Sequence, residues 1–128
     1  MRNKFSHIDK ASSISSSISP LDNKFMKDVY NIIEKYYTDP YFDVDHFASA
    51  MCVSRSQLYK KLKALSNLSA NDFINIYRLK KSSDLLKHRN MQINEIAYAV
   101  GFNDPKYFSR LFKKLYHCTP SEYTHNNS

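Results

Sequence analysis

A chain of 128 residues and 15.0 kDa has room for one compact domain, or two very small ones sharing an element, which excludes most multi-domain enzymes. Its 19 lysines and arginines stand against 12 acids, giving a net charge of +7 and a pI near 9.4, a balance that favours polyanionic partners such as nucleic acid. The single glycine, Gly101, excludes the glycine-rich loops that cradle nucleotide phosphates; Cys52 and Cys118, with no CxxC spacing, suggest neither a disulfide framework nor a structural zinc; and no run reaches the roughly 18 apolar residues of a membrane span.

Residues 1–20 hold seven serines and too few large apolar groups to offset the entropy of ordering the backbone, which predicts a flexible tail or interdomain linker. From Leu21 the pattern turns helical, with Phe25, Val29, Ile32, Ile33 and Tyr36 on one face, Asp22 as the expected N-cap and Asp39-Pro40 as the stop. A second helix is predicted after Asp43, burying Val44, Phe47, Ala48 and Met51, and a third after Ser54, burying Leu58, Leu62 and Leu65. Ser69, with Asp72 three residues on, resembles a capping box. It opens a long helix to about His88, which at 1.5 Å per residue spans about 30 Å. Helices over 93–100 and 105–116 follow, then a short one from near Pro120, with each proline suited to a first helical position. No useful strand-like alternation occurs, so the fold class is all-α. The charge is local: residues 54–89 carry nine bases and two acids, whereas 21–53 carry three and six.

The chain repeats itself. VDHFASAMCV (44–53) aligns with INEIAYAVGF (93–102) at an offset of 49, setting Ala48 over Ala97 and Ala50 over Ala99. One extra residue in the second turn makes the offset 50, so that Ser54 falls on Asp104 as helix caps, Leu58 on Phe108, Lys60 on Arg110, Leu62 on Phe112, Lys63 on Lys113, Ser69 on Thr119 and Phe73 on Tyr123. Each unit is a short helix, a tight turn and a more basic second helix, which is the helix-turn-helix plan. Alanines in the first helix let the second cross closely, and Gly101 supplies the left-handed conformation the turn requires. A generic helical bundle accounts for the repeat but not for the polar faces. Residues 54–66 contain Arg55, Lys60, Lys61 and Lys63 with no acid, and 103–116 contain Lys106, Arg110, Lys113 and Lys114 against Asp104 alone.

At SRSQLYKKLKAL (54–65) and EIAYAVGFNDPKYFSRLFKK (95–114) the sequence resembles the AraC/XylS family of bacterial transcription regulators, over about residues 22–124. The wording of both motifs is most similar to the C-terminal output domain of hybrid two-component regulators. The resemblance implies seven helices in two homeodomain-like helix-turn-helix subdomains, the first over about 43–65 and the second over about 93–115, joined by a linker helix over about 69–88. A departure from the repeat is Cys52, where the second unit has Gly101.

Double-stranded DNA offers base edges in a major groove wide enough for one helix, and about 34 Å separates equivalent points on one face. The linker helix suits that spacing, so helices 54–65 and 105–115 are expected in two successive major-groove segments of one site of about 20 base pairs, with no dimer required. With Leu58, Leu62 and Leu65 inward, Ser56, Gln57, Tyr59 and Lys60 lie on the outer N-terminal side of the first reading helix; with Phe108, Phe112 and Leu115 inward, Lys106, Tyr107, Ser109 and Arg110 do so on the second. These eight are the base-reading candidates, Gln57 suited to adenine and Lys60 and especially Arg110 to guanine. The resemblance also places Lys60, Arg110 and their neighbours in the groove. Ser54, Arg55, Lys61, Lys63, Arg78, Lys81, Lys113 and Lys114 are assigned to phosphates, which give salt-dependent affinity and register without sequence information.

The histidines at 7, 46, 88, 117 and 125 form no HxxxH, and no nucleophile, base and orienting-acid constellation stands out, so no catalytic residue, metal or cofactor is expected and the protein reads as a non-enzyme. The rival class is a helical protein-interaction module without sequence-specific DNA binding, docking through the apolar side of the first helix or the acidic segment 21–53. Stacking of the ten tyrosines on single strands is the weaker option, since Tyr30, Tyr36 and Tyr123 fall on packing faces. The expected partner is double-stranded DNA, in the cytoplasm and without membrane contact by this segment; contact with RNA polymerase is implied by the resemblance only. No receiver or ligand domain fits in 128 residues, so the signal is expected from a sensor or receiver region N-terminal in a longer parent chain, from a partner chain, or through abundance.

Overall fold

The computed structural model describes residues 19–88 and 90–126, which form seven helices and no strand. The expected flexible tail over 1–18 lies outside the described residues; Ser19 and Pro20, read with that tail, instead open the first helix, α1 (Pro20–Tyr36). Ser19, not Asp22, is its cap: the Ser19 Oγ accepts from the Asp22 amide at 3.1 Å, and Pro20, with no amide to satisfy and a preset φ, takes the first position. Asp22 sits in the first turn, where its charge faces the positive end of the helix dipole. The remaining helices are α2 (Val44–Ala50), α3 (Arg55–Ser66), α4 (Ala70–His88), α5 (Ile93–Ala99), α6 (Pro105–Tyr116) and α7 (Pro120–Asn126).

The described residues divide into two compact units, 19–36 with 42–74 and 37–41 with 75–126. In the first, α2 packs on both α1 and α3. Its core takes Met26, Val29 and Ile33 from α1, Phe47 and Ala48 from α2, Leu58 and Leu62 from α3, and Phe73 and Ile74 from α4. Aromatic rings bind it together: Tyr36 stacks on Phe42 at 5.4 Å, Phe42 meets Phe47 at 5.6 Å and Tyr30 meets Phe73 at 5.6 Å. In the second unit Leu79, Leu86, Ile96, Ala97, Val100, Phe102, Phe108 and Phe112 form one buried cluster, with Tyr107, Leu111, Leu115, Tyr116 and Tyr123 packed around it. Full burial of each large apolar side chain stabilises by about 1.5–3 kcal/mol, so these two clusters are what hold α3 and α6 in place.

The repeat seen in the sequence extends to individual hydrogen bonds. In the first turn the amides of Met51, Cys52 and Val53 donate to the carbonyls of Phe47, Ser49 and Ala48; in the second, Val100, Gly101 and Phe102 donate to Ile96, Tyr98 and Ala97, all six at 3.0–3.1 Å. Cys52 and Gly101 both have positive φ, 60° and 103°, so the cysteine adopts the same hand of turn as the glycine. Helices α3 and α6 both end on a left-handed residue, Asn67 (φ 63°) and His117 (φ 66°), whose amides bond Lys63 O and Lys113 O. Beyond them, the Ser69 and Thr119 hydroxyls accept from the amides of Asp72 and Glu122 to start the next helices.

Candidate nucleic-acid interface

Helix α3 starts where Ser54 and Gln57 cap each other. The Gln57 amide donates to Ser54 Oγ at 3.1 Å and the Ser54 amide donates to Gln57 Oε1 at 3.0 Å. No acid occurs within the helix, and its buried positions are Leu58, Leu62 and Ser66. Ser56, Gln57, Tyr59 and Lys60 all face solvent, and Lys60 makes no ion pair among the described residues. Gln57 Oε1 is already an acceptor in the cap, so a bidentate bond to adenine would share that oxygen.

The phosphate candidates on α3 are partly engaged. Arg55 Nε lies 3.1 Å from Asp45 Oδ1, a residue of α2, and Lys61 Nζ lies 3.4 Å from Asp22 Oδ1 of α1 and 5.5 Å from the Phe25 ring. Lys63 Nζ donates to Asn67 O at 3.4 Å. The Arg55–Asp45 pair is well exposed and the Lys61–Asp22 pair partly so, and surface pairs hold by about 0.2–1 kcal/mol.

Helix α6 begins with Asp104, whose carboxylate accepts from the Lys106 amide at 3.0 Å, followed by Pro105 at the first position. Lys106, Arg110, Lys113 and Lys114 are exposed, while Tyr107 and Ser109 are half-buried. The Arg110 guanidinium lies 5.2 Å from the centre of the Tyr107 ring, and the Tyr107 hydroxyl accepts from Asn75 Nδ2 at 3.2 Å. Asn75, a buried polar residue of α4, went unremarked in the sequence, where nothing local links it to a partner 32 positions away.

On α4, Lys81 is half-buried with its Nζ 5.5 Å from both the Tyr37 and Tyr77 rings. Arg78, also assigned to phosphates from the sequence, is turned inward in this structure. The residue is 7% exposed, and its Nε and Nη2 donate to the carbonyls of Tyr37 and Asp39, both at 2.9 Å, with the Phe102 ring 5.8 Å away. Burial lowers its proton affinity from the usual arginine value, and the Asp39 charge works the other way. The guanidinium stays charged and closes the 37–41 turn onto α4.

Among the described residues no group of three His, Cys, Asp or Glu is placed to hold a metal ion, and no helix is long and apolar enough to cross a membrane.

Residues 47–126 match the family described as "Helix-turn-helix domain". Over all 128 residues the chain is 37% identical to histidine kinase P4 of Formosa agariphila, and over 95 residues, 73% of the chain, it is 34% identical to the HTH-type transcriptional regulator MtrA of Neisseria gonorrhoeae. It spans 9% of the first protein and 32% of the second. Among solved structures, the C-terminal domain of the two-component response regulator yesN from Fusobacterium nucleatum is similar with a TM-score of 0.70 at 33% identity, over 75% of this chain and 93% of that one. With two helix-turn-helix units that share the hydrogen bonds of their turns and of their C-caps, the chain belongs to the AraC/XylS family of helix-turn-helix domains.

Proposed function

We propose that this chain is the sequence-specific DNA-binding output module of a signal-responsive transcription regulator, working in the cytoplasm and catalysing no reaction. The observation that carries the reading is the pair α3 and α6: two helices held by the same turn and the same C-cap, neither containing an acid, each with its cations on the solvent side. Such helices meet both demands of a duplex, groove entry by an N-terminal half bearing hydrogen-bonding side chains and phosphate contact by flanking cations. Ser56, Gln57, Tyr59 and Lys60 on α3, with Lys106, Tyr107, Ser109 and Arg110 on α6, read base edges. Ser54, Arg55, Lys61, Lys63, Lys81, Lys113 and Lys114 serve phosphates, Ser54 through the amides of the helix it caps.

In this reading the two helices take successive major-groove segments of one site, since each segment of the groove admits one helix. The names of MtrA and yesN support a regulatory role, and the small share of P4 and MtrA that the chain spans supports a parent with a sensor or receiver region before this module. RNA polymerase is the further partner. Selection of bound sequences from a random duplex pool tests the reading: a recovered site of about 20 base pairs is expected. Equal binding to unselected duplex at moderate salt overturns it and favours a protein-docking module.

A further inference from the structure

Arg110 is held on its helix by a relay that begins on a different one. Its guanidinium rests on the Tyr107 ring at 5.2 Å, one turn back along α6. That ring is fixed at two further points: it meets Phe102 edge-on with centroids 6.2 Å apart, and its hydroxyl accepts from Asn75 Nδ2 at 3.2 Å. Asn75 is 8% exposed and belongs to α4, where its neighbours Phe73, Ile74 and Ile76 are all core. An amide placed among apolar residues is costly unless bonded, and this one directs its donor at the tyrosine that carries the arginine. Arg110 makes no ion pair among the described residues, so Tyr107 is its recorded support there.

We propose that Asn75 is a positioning residue for base recognition: by pinning Tyr107 it pre-orients the Arg110 guanidinium toward one base of the site. Reading a guanine through O6 and N7 needs a planar fork at a fixed angle, and a long side chain freed from its support loses conformational freedom on binding. The effect of Asn75 falls on discrimination at a single base pair, not on general affinity. This inference rests on the proposed DNA-reading role of α6.

The test is a binding competition between the selected duplex and its single-base variants, with the salt dependence of binding measured alongside. Arg110→Ala comes first and fixes which base pair the arginine reads, with a loss of discrimination there of about fivefold to a hundredfold. Asn75→Leu, with the same branching at Cγ and without the amide, and Tyr107→Phe, with the ring kept and the hydroxyl removed, are expected to lower discrimination at that same base pair by about twofold to fivefold. In Asn75→Leu, preferences elsewhere and the salt slope are expected to stay unchanged. If both variants keep the full preference that Arg110→Ala loses, or lose affinity evenly at every position, the positioning role is overturned while the DNA reading stands. If Arg110→Ala itself leaves every preference intact, the role of α6 in base reading falls and the relay with it. Should Asn75→Leu fail to fold, Asn75→Ala, which removes the same amide without adding bulk, takes its place in the comparison.

Discussion

Two residues in equivalent turns solve one backbone problem in different ways. Gly101 has φ of 103°, and a Cβ there would stand 2.0 Å from Tyr37 O and 2.7 Å from Arg78 Nε. The missing side chain is what lets the Arg78 to Tyr37 hydrogen bond run past this turn. Gly101→Ala therefore meets a backbone carbonyl as well as an unfavourable φ, and is expected to cost about 2–4 kcal/mol in urea unfolding. Cys52 is exposed, so no such clash applies, but its φ of 60° carries left-handed strain. Cys52→Gly removes strain of about 1–2 kcal/mol and adds about 0.5–1 kcal/mol of unfolded-state entropy, so a net gain of up to about 1.5 kcal/mol is expected by the same measurement. A loss on Cys52→Gly would show that the cysteine side chain contributes more than its backbone costs. Two exposed capping carboxylates give the pH response. Asp43 accepts from the His46 amide at 3.0 Å and pairs with the ring nitrogen at 2.6 Å, while Glu122 accepts from the Thr119 amide at 2.8 Å; these bonds hold both carboxyls below their ordinary values. A carboxylate with a depressed folded value stabilises the fold above its unfolded value and loses that contribution as pH falls through the folded one. Stability should thus be flat near neutrality and decline below pH about 4, with the decline weakened in Asp43→Asn.

At the scale of the element, α3 is a basic helix whose charge is held back by its own neighbours. Asp45 of α2 and Asp22 of α1 occupy Arg55 and Lys61, two of the cations assigned to phosphate. A phosphate must displace each acid, so the acids lower affinity for any duplex without touching a base. Asp45→Asn and Asp22→Asn are each expected to tighten binding to nonspecific duplex by about twofold to fivefold at low salt, as measured by titration, with base preferences unchanged. Unaltered nonspecific affinity in both would mean that Arg55 and Lys61 do not meet phosphate. Neutralising Lys60, Lys61 and Lys63 together should flatten the salt dependence by about two to three ions. These pairings explain what was legible in the sequence and what was not. Helix identity and most caps are local matters, set by Ser54, Asp43, Asp104 and Thr119 together with the apolar period, and were readable from the chain. The first cap was misplaced by three residues because Pro20 was counted with the serine-rich segment. Arg78, Asn75, Asp22 and Asp45 owe their roles to partners 10 to 41 positions away, a distance over which charge and spacing along the chain say nothing.

At the scale of the whole molecule the helix-turn-helix occurs twice. Each unit holds a complete one with its own core, so α3 and α6 are each oriented by the packing of their own unit. If α3 and α6 read one duplex, bases lost to a substitution in α3 must differ from those lost to one in α6. Lys60 and Arg110 are equivalent positions of the repeat, which makes them the matched pair for the comparison. Base-by-base competition on the selected site should show Lys60→Ala and Arg110→Ala relaxing preference in two separate clusters about 10 base pairs apart, one turn of the duplex. Inserting five base pairs between the clusters turns one half-site to the opposite face and should weaken binding more than any single-base change if both helices grip one duplex. The two variants relaxing the same base pairs, or the insertion being tolerated, would show that only one unit reads sequence, leaving the other to hold phosphates.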